Sequence, residues 1–562
     1  MSLHERLGSW GEGVRGPLLA ALIACLAAAP GLFALPPLDR DESRFAEASA
    51  QMMETGDYVT IHFQATPRFK KPVGVYWLQA AAVRVFSHVE DRQIWAYRLP
   101  SLAGAMAAAA ACAWGAAGFM GSAEALLAGA LMGASLLLAT EGAIAATDGA
   151  LAGAVTLSMA ALARLYVEAR GGQAAGPGAR ALLWAGLAGS TLLKGPIGPM
   201  VFVLTLLTLG ICDRRVRWMK DLGWGWGLIF TAAVIAPWAM AITVATDGEF
   251  WGAAVGGDLA PKLMDGQEGH GAPPGYYLLF APLLLFPATL LIPAGATAAW
   301  RRRAEPGVRF ALCWLIPTWL LFEVTPTKLV HYPLPLYGAL AWLAICGLSR
   351  SATSPVWKVG AALSLLVAVV LAAAGPVAAM RLAAHLPLAV LVVAPLLFLL
   401  AGGVGAALLL RGKPLEAVCV TVAAALVAHA ALAGLFAPQL SPIWLSSRTA
   451  QGLTAAGDNP RDGVAPGPVT VAGYAEPSLV FLLGADTELA GPTEAAAAIA
   501  QRRAAVVEGR LDDAFQAALA RAGQKAQRVG HVAGLDYSNG HHDILRIYEA
   551  APGAAPAGTG RP

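Results

Sequence analysis

Charge is scarce in this chain. Of its 562 residues only 13% are Asp, Glu, Lys or Arg, while 57% are hydrophobic. Soluble domains carry about 25% charged residues, so the shortage excludes an ordinary water-soluble protein and points to a polytopic membrane protein. The net charge of +3 is too small for a nucleic-acid surface, and no nucleic acid is expected as a partner. Cysteine is rare too. The six cysteines (25, 112, 212, 313, 346 and 419) all lie inside or at the edge of apolar runs, without metal-site spacing and at depths that exclude a disulfide framework. There is no P-loop and no Gly-rich dinucleotide fingerprint, and the polar C-terminal segment holds no catalytic triad. Tandem repeats at solenoid periods are absent as well. The N-terminal MSLHERLGSWGEGVRG leads into an apolar run without a small-residue cleavage site, so that run is read as a first transmembrane helix, not a removed signal.

Long apolar runs are what the chain has in abundance. A bilayer-spanning helix needs roughly 20 mainly apolar residues. Thirteen candidates follow: 17–36, 95–119, 124–140, 146–168, 180–194, 196–212, 222–245, 276–299, 308–324, 333–349, 357–378, 387–410 and 415–437. The split near 194 rests on the breakers of LLKGPIGP alone. The predicted fold is therefore a polytopic α-helical membrane domain of about 13 spans over residues 1–440, including a loop at 37–94. A small soluble α/β domain follows over 441–550, where GPVTVAGYAEPSLVFLLGADTELAG and HHDILRIYEA alternate strand-like and helical patterns. Residues 551–562 read as a disordered tail.

The positive-inside rule orients this arrangement. With the N-terminus in the cytoplasm, the basic stretches RGGQAAGPGAR, DRRVRWMK, WRRRAEPGVR, SRSATSPVWK and RGKP all fall inside, and an odd number of spans puts the C-terminal domain outside. One basic cluster dissents. TPRFKKP, carrying Arg68, Lys70 and Lys71, lies in the outer loop, where topology does not call for it. Anionic head groups would account for such a patch, but its outer location favours a phosphate-bearing ligand. Both halves of that loop mix apolar and polar positions as interfacial helices do.

The other polar candidates also gather outside. Asp41 and Glu42 stand just beyond the first span, and Asp148 follows Thr147 at the mouth of the fourth. Each Asp could cap a helix. Each could equally serve an acceptor as a carboxylate at the membrane surface. Lys328, His331 and Tyr332 sit in TPTKLVHYPLPLY, where a snorkelling lysine and an interfacial tyrosine are the simpler account. Lys194 reads as structural. Asp258, Lys262, Glu268 and His270 in the 246–275 loop show no trustworthy ligand spacing. A transporter of lipid-linked substrates would place charges at mid-membrane on repeated halves. Here His429 and Glu416 are the few deep candidates, and they form no path.

Taken in order, RDESRFAE, GDYVT, FKKPVGVYWLQA, TD at a span entrance, LLKGPIG and TKLVHYPLPLY resemble the ArnT-type glycosyltransferases. These transfer aminoarabinose to lipid A and are relatives of the protein mannosyltransferases within the GT-C superfamily. The resemblance covers roughly residues 17–440. It implies an inverting glycosyltransferase of the bacterial inner membrane, multi-pass, with its C-terminal domain in the periplasm. The donor implied is a sugar on undecaprenyl phosphate, and the acceptor is lipid A, lipopolysaccharide core or another envelope glycan. A protein acceptor and a flippase of lipid-linked sugars are the alternatives.

Residue by residue, the resemblance makes Asp41 the catalytic carboxylate, with Glu42 and Arg44 beside it. It makes Lys71 the donor-phosphate ligand, assisted by Arg68 or Lys70, and places the fourth-span acid on Asp148. Tyr332 and its preceding Lys328, with His331, complete the expected binding set. Two departures matter. Phe45 stands where a tyrosine is common. Lys70 stands where the aminoarabinose enzymes carry the Glu of a metal site, so no cofactor is predicted and a divalent metal lacks support. Aminoarabinose is cationic, so a base in place of that acid favours a neutral or uronic sugar. Membrane lipids are the remaining partners, and a monomer is expected.

Overall fold

The computed structural model describes residues 1–264, 271–351, 354–463 and 467–552. All thirteen apolar segments fall on helices, but fewer are full spans than hydropathy alone suggests. Among the described residues eight helices are long and apolar enough to cross a membrane: Arg15–Ala34, Ile94–Ala116, Asp148–Glu168, Trp224–Ala245, Pro306–Val324, Val356–Arg381, Leu388–Leu410 and Pro414–Gln439. Ser122–Gly133 with Leu136–Gly142, bent by 60°, and Tyr276–Leu284 with Ala288–Arg301, bent by 112°, raise the number to ten if each pair is one span. The remaining three segments make shorter helices: Ala179–Lys194 of 16 residues, Ile197–Asp213 of 17, and Leu334–Ser349. Apolar composition marks a segment as membrane-embedded, but it does not measure the unbroken helix that a span requires. The break in LLKGPIGP is real: the first of these helices ends on Lys194, and Gly195 follows at φ 59°, ψ −121°, a conformation that only glycine adopts readily.

Small residues bring the central helices together. Ile94–Ala116 packs on Asp148–Glu168 through glycine. A Cβ at Gly104 would lie 2.4 Å from the Ala150 Cα, and one at Gly153 2.6 Å from the Gly104 carbonyl oxygen. Such close approach lets van der Waals contact hold helices where lipid supplies no hydrophobic drive. It also brings Ser101 on one helix to the start of the other, where its hydroxyl donates to the Ala146 carbonyl at 2.9 Å.

The loop after the first span forms two helices, Asp41–Thr55 and Gly74–Phe86, as the amphipathic pattern predicts. Between them β1 (His62–Phe63) and β2 (Thr66–Pro67) pair antiparallel and deliver the basic motif to the end of a tight hairpin.

The C-terminal domain is a five-stranded mixed sheet of β3 (Thr470–Ala472), β4 (Glu488–Ala490), β5 (Ala505–Glu508), β6 (Ala526–Asp536) and β7 (His541–Ala550). The strand order is β4-β3-β5-β7-β6, with β3 parallel to β4 and β5, and β7 antiparallel to β5 and β6. Alternate residues feed two apolar layers. Val471, Val506 and Ile547 pack with the helices Leu445–Ala456 and Pro477–Leu483, while Ala472, Val507 and Tyr548 pack with Pro492–Ala500 and Asp512–Arg521. The domain is docked on the first loop. Phe481 is buried among Ala46, Ala50, Val83 and Tyr97, its ring edge-on to Tyr97 at 5.3 Å. Gln64 Nε2 donates to the carbonyls of Ala485 and Thr487 at 3.0 and 2.6 Å. The domain therefore lies on the same side of the membrane as that loop. Of the predicted tail, residues 553–562 lie outside the described residues, as do Glu268 and His270.

Candidate active site

Two acidic and two basic segments converge at the first loop. Asp41 opens the helix Asp41–Thr55, yet its side chain is not taken up in capping: its ionic partner is Arg68 Nη2 at 3.8 Å, and the side chain is 58% exposed. Partial desolvation would by itself raise this carboxyl. Lys71, Arg68, Arg44 and His331 outweigh it and hold the group below the usual carboxylate range. Asp41 is thus a part-exposed, ionised carboxylate with cations on its flank.

The cations are held by an aromatic plate. Lys71 Nζ lies 4.7 Å and the Arg68 guanidinium 5.4 Å from the centre of the Phe45 ring. A ring face attracts cations without hydrogen-bonding them, so the ring contact itself uses none of their N–H groups. The hydroxyl that a tyrosine would add here is absent, and what remains is a platform. Burial, with Lys194 and Arg68 nearby, pushes Lys71 down to about 8 despite the carboxylates of Asp41 and Asp148.

A second group lies behind. Asp148 opens its span as an ion pair with Lys194 at 2.5 Å, accepts from the Thr147 hydroxyl at 3.1 Å, and has His331 Nε2 at 3.7 Å. His331 Nδ1 is 3.5 Å from Glu141 Oε1. Desolvation pushes His331 down to about 4, against the pull of Asp148, so the imidazole is neutral at physiological pH. Lys194 Nζ also sits 5.3 Å above the Tyr332 ring, which meets the His331 ring edge-on at 5.3 Å. The fields of Asp41, Lys71, Lys194 and Asp148 all act on His331, which joins the two groups into one cluster.

Lys70 is exposed on the same bend. Arg44 answers to Arg68, Asp41 and Glu476, so it flanks the cluster on the side of the C-terminal domain. Two expected binding residues are placed elsewhere. Glu42 has both oxygens occupied: Oε1 accepts from Arg98 Nε at 2.8 Å and the Ala145 amide at 2.6 Å, Oε2 from Arg98 Nη2 and the Leu38 amide at 2.8 Å each. Its bidentate clamp leaves nothing for a ligand. Lys328 is buried, and its ammonium donates to the Thr325 carbonyl with Glu323 as the nearby charge, so it is a local tie and not part of the cluster. Asp258 and Lys262 pair with each other at 2.7 Å.

Arg98 and Glu141 are residues that spacing did not single out, and Lys194, read from the sequence as structural, pairs with Asp148. Arg98 is fully buried and, besides gripping Glu42, donates to the carbonyls of Leu32, Leu35 and Pro36 at the end of the first span. One guanidinium thus ties the first span, the Asp41 helix and the segment leading to Asp148. Replacing it strands a buried carboxylate. Arg98→Met is expected to cost about 3–5 kcal/mol, read as a lowered thermal midpoint in detergent, and an unchanged midpoint would refute the clamp.

No protein-family model matches the chain. Curated relatives do match. The undecaprenyl phosphate-α-4-amino-4-deoxy-L-arabinose arabinosyl transferase of Pectobacterium atrosepticum is 28% identical over 316 residues, 55% of this chain and 54% of that protein. The protein of the same name from Aeromonas salmonicida is 29% identical over 322 residues, 56% of this chain and 57% of its own. The matched stretch thus spans little more than half the length of these relatives. Among solved structures, ArnT from Cupriavidus metallidurans bound to undecaprenyl phosphate aligns with a TM-score of 0.74 at 21% identity, over 96% of this chain and 99% of that one. Its apo state aligns at 0.72, over 94% and 97%. This coverage includes the C-terminal domain. The likeness to ArnT read from the motifs is borne out in sequence and in fold.

Proposed function

We propose that this chain is an inverting glycosyltransferase of the bacterial inner membrane. It moves a sugar from undecaprenyl phosphate to lipid A or lipopolysaccharide core, its N-terminus cytoplasmic and its C-terminal domain periplasmic. The observation that carries the reading is the juxtaposition of an unencumbered Asp41 carboxylate with Lys71 and Arg68 on the Phe45 ring. The relatives' names and the undecaprenyl phosphate of the ArnT structure support the donor.

The chemistry follows from the charges. Lys71 and Arg68 hold the donor phosphate and stabilise the negative charge that grows on it as the bond from the anomeric carbon to the phosphate oxygen breaks. The acceptor oxygen attacks the opposite face, and the configuration inverts. If that oxygen is a hydroxyl, its proton passes to Asp41; if it belongs to a phosphate, no base is needed and Asp41 orients it. A carboxylate of depressed basicity suits orientation and late proton capture better than deprotonation in advance. Asp148, Lys194 and His331 brace the far wall with Tyr332. The polyprenyl tail lies among the spans and supplies binding energy remote from the reacting atoms.

The cations crowding Asp41 favour a neutral or acidic sugar over the cationic one in the relatives' name. Mass spectrometry of lipopolysaccharide from a strain lacking the protein tests function and sugar together. A mass increment lost on deletion and restored by the wild-type gene supports the reading and identifies the sugar, whereas unchanged lipopolysaccharide removes lipid A and core as acceptors.

Donor binding should depend on pH through Lys71. The ammonium is charged below about 8 and loses its proton above it, so affinity for undecaprenyl phosphate is expected to fall as pH rises from 7 to 9. Titration of the protein in nanodiscs with that lipid reads this directly, and a flat profile would remove Lys71 as the phosphate ligand.

A further inference from the structure

Asp41 is held from both sides. On its C-terminal flank Glu42 is locked to Arg98 in the membrane domain. On its N-terminal flank the backbone turns sharply at Arg40, with φ 61° and ψ −105°. An L residue adopts this conformation rarely, and the turn persists only where neighbours enforce it.

The neighbours here belong to the C-terminal domain. The Asp39 amide donates to Tyr537 Oη at 2.6 Å, beyond the end of β6. Ser478 Oγ, on the docked helix Pro477–Leu483, donates to the Asp39 carboxylate. Ser478 is itself 2.6 Å from Ser446 Oγ, which is 2.9 Å from Tyr474 Oη, and all three are buried. A chain of hydroxyls thus runs from the sheet domain to the residue two places before Asp41.

We infer that the C-terminal domain sets the aim of the catalytic carboxylate: Tyr537 and Ser478 are positioning residues that hold Asp39 and, through the Arg40 turn, fix where Asp41 points. The inference rests on the transferase reading above. It assigns the domain a task in the reaction that docking alone does not explain. Both bond Asp39, two places before Asp41, so their effect runs through the backbone.

The clamp carries its own titration. The carboxylate oxygens of Asp39, Glu476 and Asp536 lie within 4.8 Å of one another. Arg40 and Arg44 are the cations facing Glu476, Ser538 donates to it at 3.1 Å, and Tyr537 completes the ring around Asp39. Burial, reinforced by Glu476 and Asp536, pushes Asp39 up to about 7 against the opposing hydrogen bond from Ser478. Below that pH Asp39 holds a proton; above it the carboxylate is the stronger acceptor for the Ser478 hydroxyl.

The test uses purified full-length protein in nanodiscs, with polyprenyl-phosphate sugar extracted from membranes of the deletion strain as donor. Tyr537→Phe and Ser478→Ala should lower kcat by about 10- to 100-fold, the scale of a misaligned reacting group, with KM for the donor, undecaprenyl phosphate affinity and thermal midpoint unchanged. Wild-type kcat in both hydroxyl variants overturns the inference. So does a joint loss of kcat, affinity and midpoint, which would mark plain undocking. No transfer by the wild type overturns the transferase reading, and this inference with it.

Discussion

Asp41→Asn is expected to reduce sugar transfer by about 10²–10⁴-fold, the range for loss of a positioned acid or base, while the protein folds and binds undecaprenyl phosphate as before. The expectation rests on how little structure depends on this side chain. Its carboxylate is more than half exposed, and its ionic partner is 3.8 Å away. Contrast Glu42, one residue on, whose two oxygens accept four hydrogen bonds. Were Asp41 a helix cap, the amide variant would lose about 1 kcal/mol of stability or less and keep its activity. Kinetics of the variant beside its thermal midpoint separate the two. Full activity with a lowered midpoint would return Asp41 to structure.

Lys71→Met should be nearly as damaging, by about 10²–10³-fold, the effect of removing one preorganised donor to a developing negative charge. Here donor affinity and rate should fall together, as expected for a ligand group contacted in both ground and transition states. Lys71→Arg should restore only part of the loss. The ammonium is compact and lies 4.7 Å from the Phe45 ring beside an arginine already stacked there, and a second planar guanidinium does not fit the same contact. Wild-type affinity in Lys71→Met would place the phosphate elsewhere.

Much of this architecture was legible because its signals are periodic or compositional. Apolar runs became helices, the two amphipathic stretches of the first loop became the helices Asp41–Thr55 and Gly74–Phe86, and the alternating segment became the mixed sheet. The dissenting basic loop also proved to lie against Asp41. What stayed hidden is pairing across long separations. Arg98 bonds Glu42 from 56 positions away, and Lys194 meets Asp148 from 46. No local pattern encodes such partners.

A signal for Arg98 did exist. A charge inside an apolar run demands a partner, and WAYRLP sits within the second span. Lys194 and Lys328 illustrate the limit from the other side. Both are lysines beside proline or glycine breakers, yet one enters the cluster and the other bonds its own loop. Only the fold distinguishes them. The grip on Asp39 was equally unreadable, since it joins residues 39, 478 and 537 through a domain interface.

The most direct test of the central claim is a transfer assay in vesicles. Purified wild-type protein would be supplied with polyprenyl-phosphate sugar and lipid A, and both lipids followed by mass spectrometry. The account predicts that lipid A gains the sugar mass, that undecaprenyl phosphate appears in equal amount, and that Asp41→Asn and Lys71→Met each abolish both changes. Donor that crosses the bilayer with its sugar still attached, leaving lipid A unmodified, would contradict it and make the protein a carrier of lipid-linked sugar.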